Sequence, residues 1–234
     1  MNKLILWDID GTLIYSGGIA GECMRAAMAQ VFGATPTSER RNYAGKTDQQ
    51  IILETFPDRE PAELLSRLDE FTACYMELLS ARHADLASPN WVLDGVLSAL
   101  ERIGTGEVIQ SVLTGNLAPV ARLKLELTGL LHHFDLSVGA YGSDHHQRAE
   151  LVPVAAARAE ARYGRPYVGQ DVVVIGDTPN DIACARAAGA RAVAVATGPY
   201  TVDDLLSHAP DAVLPSLVDT EAAVRAILGE PVGV

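Results

Sequence analysis

The sequence predicts an α/β fold, a doubly wound parallel sheet with a small helical cap domain inserted after the first strand. Short apolar runs that end at polar turns alternate along the chain with segments of helical spacing. This alternation is typical of βαβ units, in which helices cover both faces of a parallel sheet. The content of 48% hydrophobic residues in 234 excludes an intrinsically disordered chain.

Four apolar runs and one weaker run are the predicted strands. The four cover residues 3–7, the segment ending at Val112-Leu113, residues 172–175 and residues 192–195, and the weaker run covers 136–138. The predicted helices cover residues 117–128, 147–163, 179–188 and 219–228. Right-handed crossovers place the carboxyl ends of all these strands at one edge of the sheet, where ligands bind in such folds.

Residues 17–90 interrupt the alternation, because they contain no convincing strand pattern. Helical spacing occurs near residues 18–32, 47–56 and 61–81, between Gly17-Gly18 and Ser88-Pro89-Asn90. We therefore expect a core domain of residues 1–16 and 91–234, with residues 17–90 forming a helical cap above the ligand-binding edge.

Composition limits the partners and the compartment. The chain has 18 Lys and Arg against 30 Asp and Glu, and a net charge of -12 disfavours nucleic acid and anionic membrane surfaces as partners. Cys23, Cys74 and Cys184 lie far apart, which fits neither a disulfide framework nor a zinc site. The apolar start is too short for a signal peptide, and no run approaches the ~18 residues of a membrane span. These features predict a soluble cytoplasmic protein.

Carboxylates follow the first predicted strand. The period-2 alternation of a strand puts Asp8 and Asp10 on the same side, Gly11 permits a sharp turn, and Thr12 adds a hydroxyl. A strand that ends in an ordinary Asx turn is the alternative interpretation.

Polar groups also follow two later strands. Thr114-Gly115-Asn116 precedes a helix start, which suits a phosphate cradle or a simple N-cap. Asp177 ends the strand at 172–175, and Thr178 with Asp181 has the spacing of a capping box, which leaves Asp177 unexplained. Asp8, Asp10, Asp177 and Asp181 would repel one another at one sheet edge, so this cluster calls for a hard divalent cation such as Mg²⁺.

The quoted motifs resemble those of the haloacid dehalogenase superfamily of phosphotransferases, in particular its phosphoglycolate phosphatase-like members with a helical cap. Asp8-Ile9-Asp10-Gly11-Thr12-Leu13 is similar to the first motif, Thr114-Gly115-Asn116 to the second, and Gly176-Asp177-Thr178-x-x-Asp181 to the fourth.

The resemblance implies a role for each matching residue. Asp8 would attack phosphorus and form an aspartyl-phosphate, and Asp10 would act as general acid and then general base. Mg²⁺ would lie between Asp8, the Asp10 carbonyl and Asp177, with Asp181 ordering its hydration. Thr114 and Asn116 would hold the phosphoryl group, beside the backbone of Gly11, Thr12 and Gly115.

The family's third motif, a lysine that neutralises the nucleophile and the phosphate, has no direct match. Arg148 occupies the expected junction between loop and helix, and a guanidinium can bind a carboxylate and a phosphate oxygen together. Lys124 is the only lysine between the second and fourth motifs, but it lies two turns inside a predicted helix. We assign the role to Arg148; the alternatives are an exposed first-turn arginine and a Lys124 that snorkels to the surface.

Two further segments contain candidate residues. Tyr43-Ala44-Gly45-Lys46-Thr47-Asp48 resembles the loop that related capped enzymes lower onto the substrate, where Lys46 would meet a substrate anion and Thr47 or Asp48 would cap the next helix. We expect the adjacent His145 and His146 to point apart and to lie on the loop surface.

The resemblance implies Mg²⁺-dependent hydrolysis of a small phosphate monoester, and Asp10 favours an ester over a carbon–halogen bond. Phosphoglycolate, sugar phosphates and nucleotides all fit as substrates. A phosphomutase that acts on a sugar phosphate is the nearest alternative. A non-catalytic phospho-ligand binding protein is another, and a phospho-accepting receiver module fits less well because it needs no cap and carries its acceptor after a later strand.

Overall fold

The computed structural model describes residues 3–33, 43–86, 91–105 and 107–229. Within these ranges the strands are β1 (Lys3–Trp7), β2 (Val108–Thr114), β3 (Ala140–Tyr141), β4 (Val172–Gly176), β5 (Arg191–Val195) and β6 (Ala212–Leu214). They form one sheet in the order β3-β2-β1-β4-β5-β6, and every neighbouring pair is parallel. The predicted doubly wound α/β fold is confirmed.

Strand β1 is central, between β2 and β4. Leu6 is in register with Ser111 of β2 and with Val174 of β4. The side chains of Ile5 and Trp7 join the apolar cluster on one face of the sheet, and the remaining apolar residues of β1 join the cluster on the other face. Burial on both faces explains why this strand is a continuous apolar run without polar alternation.

The helices along the chain are α1 (Ile19–Phe32), α2 (Asp48–Thr55), α3 (Pro61–Ser66), α4 (Leu68–Ala81), α5 (His83–Leu86), α6 (Val96–Gly104), α7 (Ala118–Leu127), α8 (Leu151–Tyr163), α9 (Pro179–Ala187), α10 (Val202–Leu206) and α11 (Thr220–Leu228). Helices α6 and α11 cover one face of the sheet, and α8 and α9 cover the other. No helix of the described ranges has the length and apolar character needed to cross a membrane.

The weak strand predicted at 136–138 is wrong. Leu136–Val138 forms a 3₁₀ turn, because the Asp135 carboxylate accepts hydrogen bonds from the Ser137 amide at 3.0 Å and hydroxyl at 2.6 Å. The edge strand β3 begins two residues later, where Ala140 pairs with Leu113. Sequence analysis also missed α5, α6, α10 and β6.

Helices α1 to α5 form an insert between β1 and α6, which we call the helical insert. Its apolar core includes Met28, Ile52, Leu64 and Phe71, and it also packs against Val120 of α7. The helix expected over 61–81 is divided at Arg67 into α3 and α4. The segment 88–90, which we expected to close the insert, lies outside the described residues, and the domain boundaries remain a prediction.

The chain enters and leaves the helical insert through two adjacent segments. The Tyr15 amide donates to the Trp91 carbonyl at 2.8 Å, and the Leu93 amide donates to the Leu13 carbonyl at 3.0 Å. These hydrogen bonds fix the insert at the end of β1, above the carboxyl edge of the sheet.

Candidate active site

A cluster of three buried carboxylates lies at the carboxyl edge of the sheet. Asp8 follows β1, Asp177 follows β4, and Asp181 lies in the first turn of α9. One oxygen of each lies within 4.8 Å of the others. The alignment of parallel strand ends brings these side chains together. Asp10, which we grouped with them in the sequence, is outside this cluster.

Asp177 is tightly surrounded by its neighbours. The Thr12 hydroxyl donates to its Oδ1 at 3.3 Å. A Cβ atom added at Gly198 would lie 1.7 Å from its Oδ2, and one added at Gly11 would lie 2.4 Å away. Burial, and then the charges of Asp8 and Asp181, raise the pKa of Asp177 well above its ordinary range. A set of close, oxygen-only, buried ligands fits a hard divalent cation such as Mg²⁺.

Arg148 bridges two carboxylates of the cluster. Its Nη2 lies 2.9 Å from Asp8 Oδ1 and also donates to Asp181 Oδ1, and its side chain is 6% exposed. Arg148 is in a 3₁₀ turn just before α8, at the predicted junction, but it is buried and the exposed alternative is wrong. Burial raises the pKa of Asp8, and the Arg148 charge opposes that shift only in part.

Lys124 has its own partners. Its Nζ lies 2.9 and 2.7 Å from the two oxygens of Asp10, and 2.7 Å from Asn116 Oδ1. Asn116 Nδ2 in turn donates to Asp10 at 2.7 Å and to the Thr114 hydroxyl at 2.8 Å. The Lys124 side chain is 6% exposed, so it does not snorkel to the surface. Two cations, which the sequence presented as alternatives, therefore lie beside two different aspartates.

The capping box expected at the start of α9 is present. The amide and hydroxyl of Thr178 donate to Asp181 Oδ2 at 3.0 and 2.7 Å. Asp181 Oδ1 faces Arg148, so this residue has both its structural partner and a place in the carboxylate cluster. The two interpretations of Asp181 are compatible.

The loop of residues 43–48, which we call the insert loop, lies directly against the core. The Thr47 hydroxyl donates to the His146 carbonyl at 2.6 Å. A Cβ atom added at Gly115 would lie 2.0 Å from the Lys46 carbonyl oxygen, so the two backbones approach too closely for any larger residue at position 115. The Lys46 ammonium forms an ion pair with Glu54 at 2.6 Å.

Asp48 makes a contact that sequence analysis missed. Thr47 caps α2 by accepting from the Gln50 amide, whereas Asp48 Oδ2 accepts from the Leu117 amide at 2.9 Å, at the start of α7. The Asp48 amide donates to the Gly115 carbonyl at 2.7 Å. Asp48 is buried, and burial raises its pKa to about 6. The sequence offered Asp48 as a cap of its own helix, but the partner of its carboxylate lies on another element.

The prediction for the adjacent histidines is partly wrong. The rings of His145 and His146 do not point apart but stack, with centroids 4.7 Å apart and planes at 22°. The Gln147 amide donates to His145 Nδ1 at 3.0 Å. Both residues are partly exposed, as expected for a loop.

The sheet edge and the helical insert enclose a cavity of about 810 Å³. Most of the predicted site residues line it: Asp8, Asp10, Gly11, Lys46, Thr114, Gly115, Asn116, Lys124, Arg148 and Asp177. Thr12 and Asp181 lie behind this lining, bonded to Asp177 and Arg148.

Comparison with known proteins shows which proteins this chain is similar to. Residues 5–195 match the family model described as haloacid dehalogenase-like hydrolase. The chain is 24% identical to "Probable phosphatase IndB" of Dickeya dadantii, over 97% of this chain and 96% of that protein. It is 26% identical to "Phosphoglycolate phosphatase" of Caulobacter vibrioides, over 96% and 91% of the two chains.

The fold is also found among solved structures. A "predicted phosphatase" from Clostridium acetobutylicum superposes with a TM-score of 0.70 at 18% identity, covering 95% of this chain and 97% of that one. The matched segment, residues 5–195, contains the whole carboxylate cluster as well as Asp10, Lys124 and Arg148. This chain belongs to the haloacid dehalogenase-like hydrolases and is similar to their phosphoglycolate phosphatase-like members.

Proposed function

We propose that the protein is a Mg²⁺-dependent phosphatase that hydrolyses a small phosphate monoester through an aspartyl-phosphate on Asp8. The observation that carries this proposal is the pair of aspartates in one cavity with different surroundings. Asp8 is buried in the carboxylate cluster, whereas the side chain of Asp10 is 41% exposed and lies beside Lys124. The similarity to phosphatases over nearly the whole chain supports the same conclusion.

The two aspartates suit two different tasks. A carboxylate oxygen of Asp8 would attack phosphorus, and the bond from phosphorus to the ester oxygen would break. Asp10 would give its proton to the departing alkoxide and then take one from the water that cleaves the aspartyl-phosphate. Lys124 and Asn116 hold the Asp10 carboxylate in place, and Arg148 holds Asp8.

Asp8, the Asp10 carbonyl and Asp177 would hold Mg²⁺, and Asp181 would order its hydration. The bound ion would neutralise the carboxylate cluster and the negative charge of the phosphoryl group. Thr114, Asn116 and the amides of Gly11, Thr12 and Gly115 would bind the phosphoryl oxygens. The helical insert would act as the cap, excluding water from the reacting groups.

The decisive experiment measures phosphate release from a panel of phosphate monoesters, for the wild-type protein and for Asp8→Asn, with Mg²⁺ or with EDTA. We expect release that needs Mg²⁺ and is abolished in Asp8→Asn, although that variant still folds. An isomerised sugar phosphate without free phosphate would indicate the phosphomutase instead. A panel with neither product would refute both activities.

The assignment of the third-motif cation has its own test, which compares Arg148→Ala with Lys124→Ala. Arg148 contacts the proposed nucleophile, so its loss should lower kcat at least 100-fold, in the range seen when a transition-state electrostatic contact is removed. A loss of turnover in the Lys124 variant alone would overturn the assignment to Arg148.

A further inference from the structure

Part of the cavity lining differs chemically from the carboxylate cluster. This part comes from the helical insert and consists of Ala20 and Met24 of α1, Ile51 of α2 and Tyr75 of α4. We call these four residues the apolar end. Each is less than 8% exposed, and all belong to the apolar core of the insert.

The polar atom of the apolar end already has a partner. The Tyr75 hydroxyl donates to the Ala20 carbonyl at 3.1 Å. Burial also raises the pKa of Tyr75, which keeps the phenol neutral. The surface offered to a ligand here is therefore methyl, thioether and aromatic.

Each cation that lines the described part of the cavity already has an acidic partner. Lys124 is paired with Asp10, Arg148 with Asp8 and Asp181, and Lys46 with Glu54. A second anionic group on the substrate, such as the carboxylate of phosphoglycolate, would meet no cation without an acidic partner among the described lining residues, and an unpaired buried charge is strongly unfavourable.

The size of the cavity favours a substrate larger than phosphoglycolate. At about 810 Å³ it lies in the range of about 300–1,000 Å³ that accommodates drug-sized ligands, far more than a two-carbon acid and its phosphate fill. On this basis, and resting on the phosphatase activity proposed above, we infer that the substrate is a phosphate monoester of an uncharged alcohol with an alkyl or aromatic body. The apolar end holds that body while the phosphate lies at the carboxylate cluster.

A homologous series tests this inference. We would measure kcat/KM for straight-chain alkyl phosphates from methyl to hexyl, and for phenyl phosphate and phosphoglycolate, with Mg²⁺ present. Each buried methylene should raise kcat/KM about two- to fourfold until the apolar end is filled. Phosphoglycolate should react at least about tenfold more slowly than butyl phosphate, a factor equivalent to about two to three buried methylenes.

Variants connect the effect to the apolar end. Met24→Ala should flatten the dependence on chain length, whereas Leu97→Ala, which removes an exposed side chain of α6, should leave it unchanged. Because the dependence is a ratio of rates on one preparation, a partly unfolded variant does not mimic the result.

The outcomes separate this inference from the proposed function. Hydrolysis that is independent of chain length, or a preference for phosphoglycolate over hexyl phosphate, would overturn the apolar substrate class and leave the phosphatase intact. No hydrolysis of any ester would refute the phosphatase itself, and this inference with it.

Discussion

Asp48 allows a quantitative test of how the insert loop is held against the core. Its carboxylate is 5% exposed and accepts a hydrogen bond from the Leu117 amide at 2.9 Å. Burial raises its pKa from 3.8 to about 6, and the charge of Lys124 opposes that shift. The substitution Asp48→Asn keeps an acceptor oxygen for Leu117 and removes the negative charge, so it isolates the cost of burying that charge.

The sign and the size follow from the pKa. The folded protein binds this proton more tightly than the unfolded chain, so the free energy of unfolding falls as the pH rises from about 4 to about 6, and it stays lower above that. A difference of about two pKa units corresponds to about 3 kcal/mol. Asp48→Asn should therefore stabilise the protein at pH 8 by up to about 3 kcal/mol and give no such gain at pH 4.

The assay is urea unfolding followed by circular dichroism at pH 4, 6 and 8, with EDTA present. Asp58→Asn removes one negative charge from an exposed position of the helical insert and controls for the acidity of the whole chain. The stability gained by Asp48→Asn should increase with pH, while that of the control stays flat. A loss of stability of equal size at all three pH values would refute the reasoning.

Three other substitutions have expected outcomes. Gly198→Ala places a methyl group where Asp177 Oδ2 lies, so the Kd for Mg²⁺ from thermal titration should rise at least tenfold; an unchanged Kd would contradict this steric account. Asp177→Asn should raise the melting temperature of the Mg²⁺-free protein, because burial raises the pKa of Asp177 and its charge is costly. Mg²⁺ at 100 times its Kd should stabilise the wild type by about 2.7 kcal/mol, and Asp177→Asn should lose this stabilisation. An equal rise in melting temperature with Mg²⁺ in both proteins would exclude Asp177 as a ligand. Lys124→Met should slow alkyl phosphates more than p-nitrophenyl phosphate, since a good leaving group depends less on the proton from Asp10, and equal slowing of both esters would argue against this positioning role.

The central sheet was predictable because its strands are buried on both faces. β1, β4 and β5 each carry an apolar run of at least four residues, long enough to be distinguished from a loop, whereas the run in β2 is interrupted by Gln110 and Ser111. β3 and β6 have two and three residues, and a run of that length carries no periodicity. Helix α6 could have been predicted, because its buried residues have the spacing of one helical face. These residues are Val96, Ala99, Leu100 and Ile103.

The candidate site was predictable only where the sheet itself aligns the residues. Asp8 and Asp177 end adjacent parallel strands, so their proximity follows from topology alone. The partners of Arg148 and Lys124 depend on which face of a helix or turn meets the sheet edge, and the contact of Asp48 depends on where a separate element comes to rest. Spacing along the chain does not determine these distances.

The position of β1 also affects how the chain reaches this fold during synthesis. Leu4 and its neighbours pair with residues that follow them by more than a hundred positions. A ribosome that adds about 5–20 residues per second needs about 5–20 s to deliver the first of those partners. Through that interval the apolar segment Leu4-Ile5-Leu6-Trp7 has neither of its two neighbouring strands, so β1 can be buried in the sheet only after β2 has been synthesised.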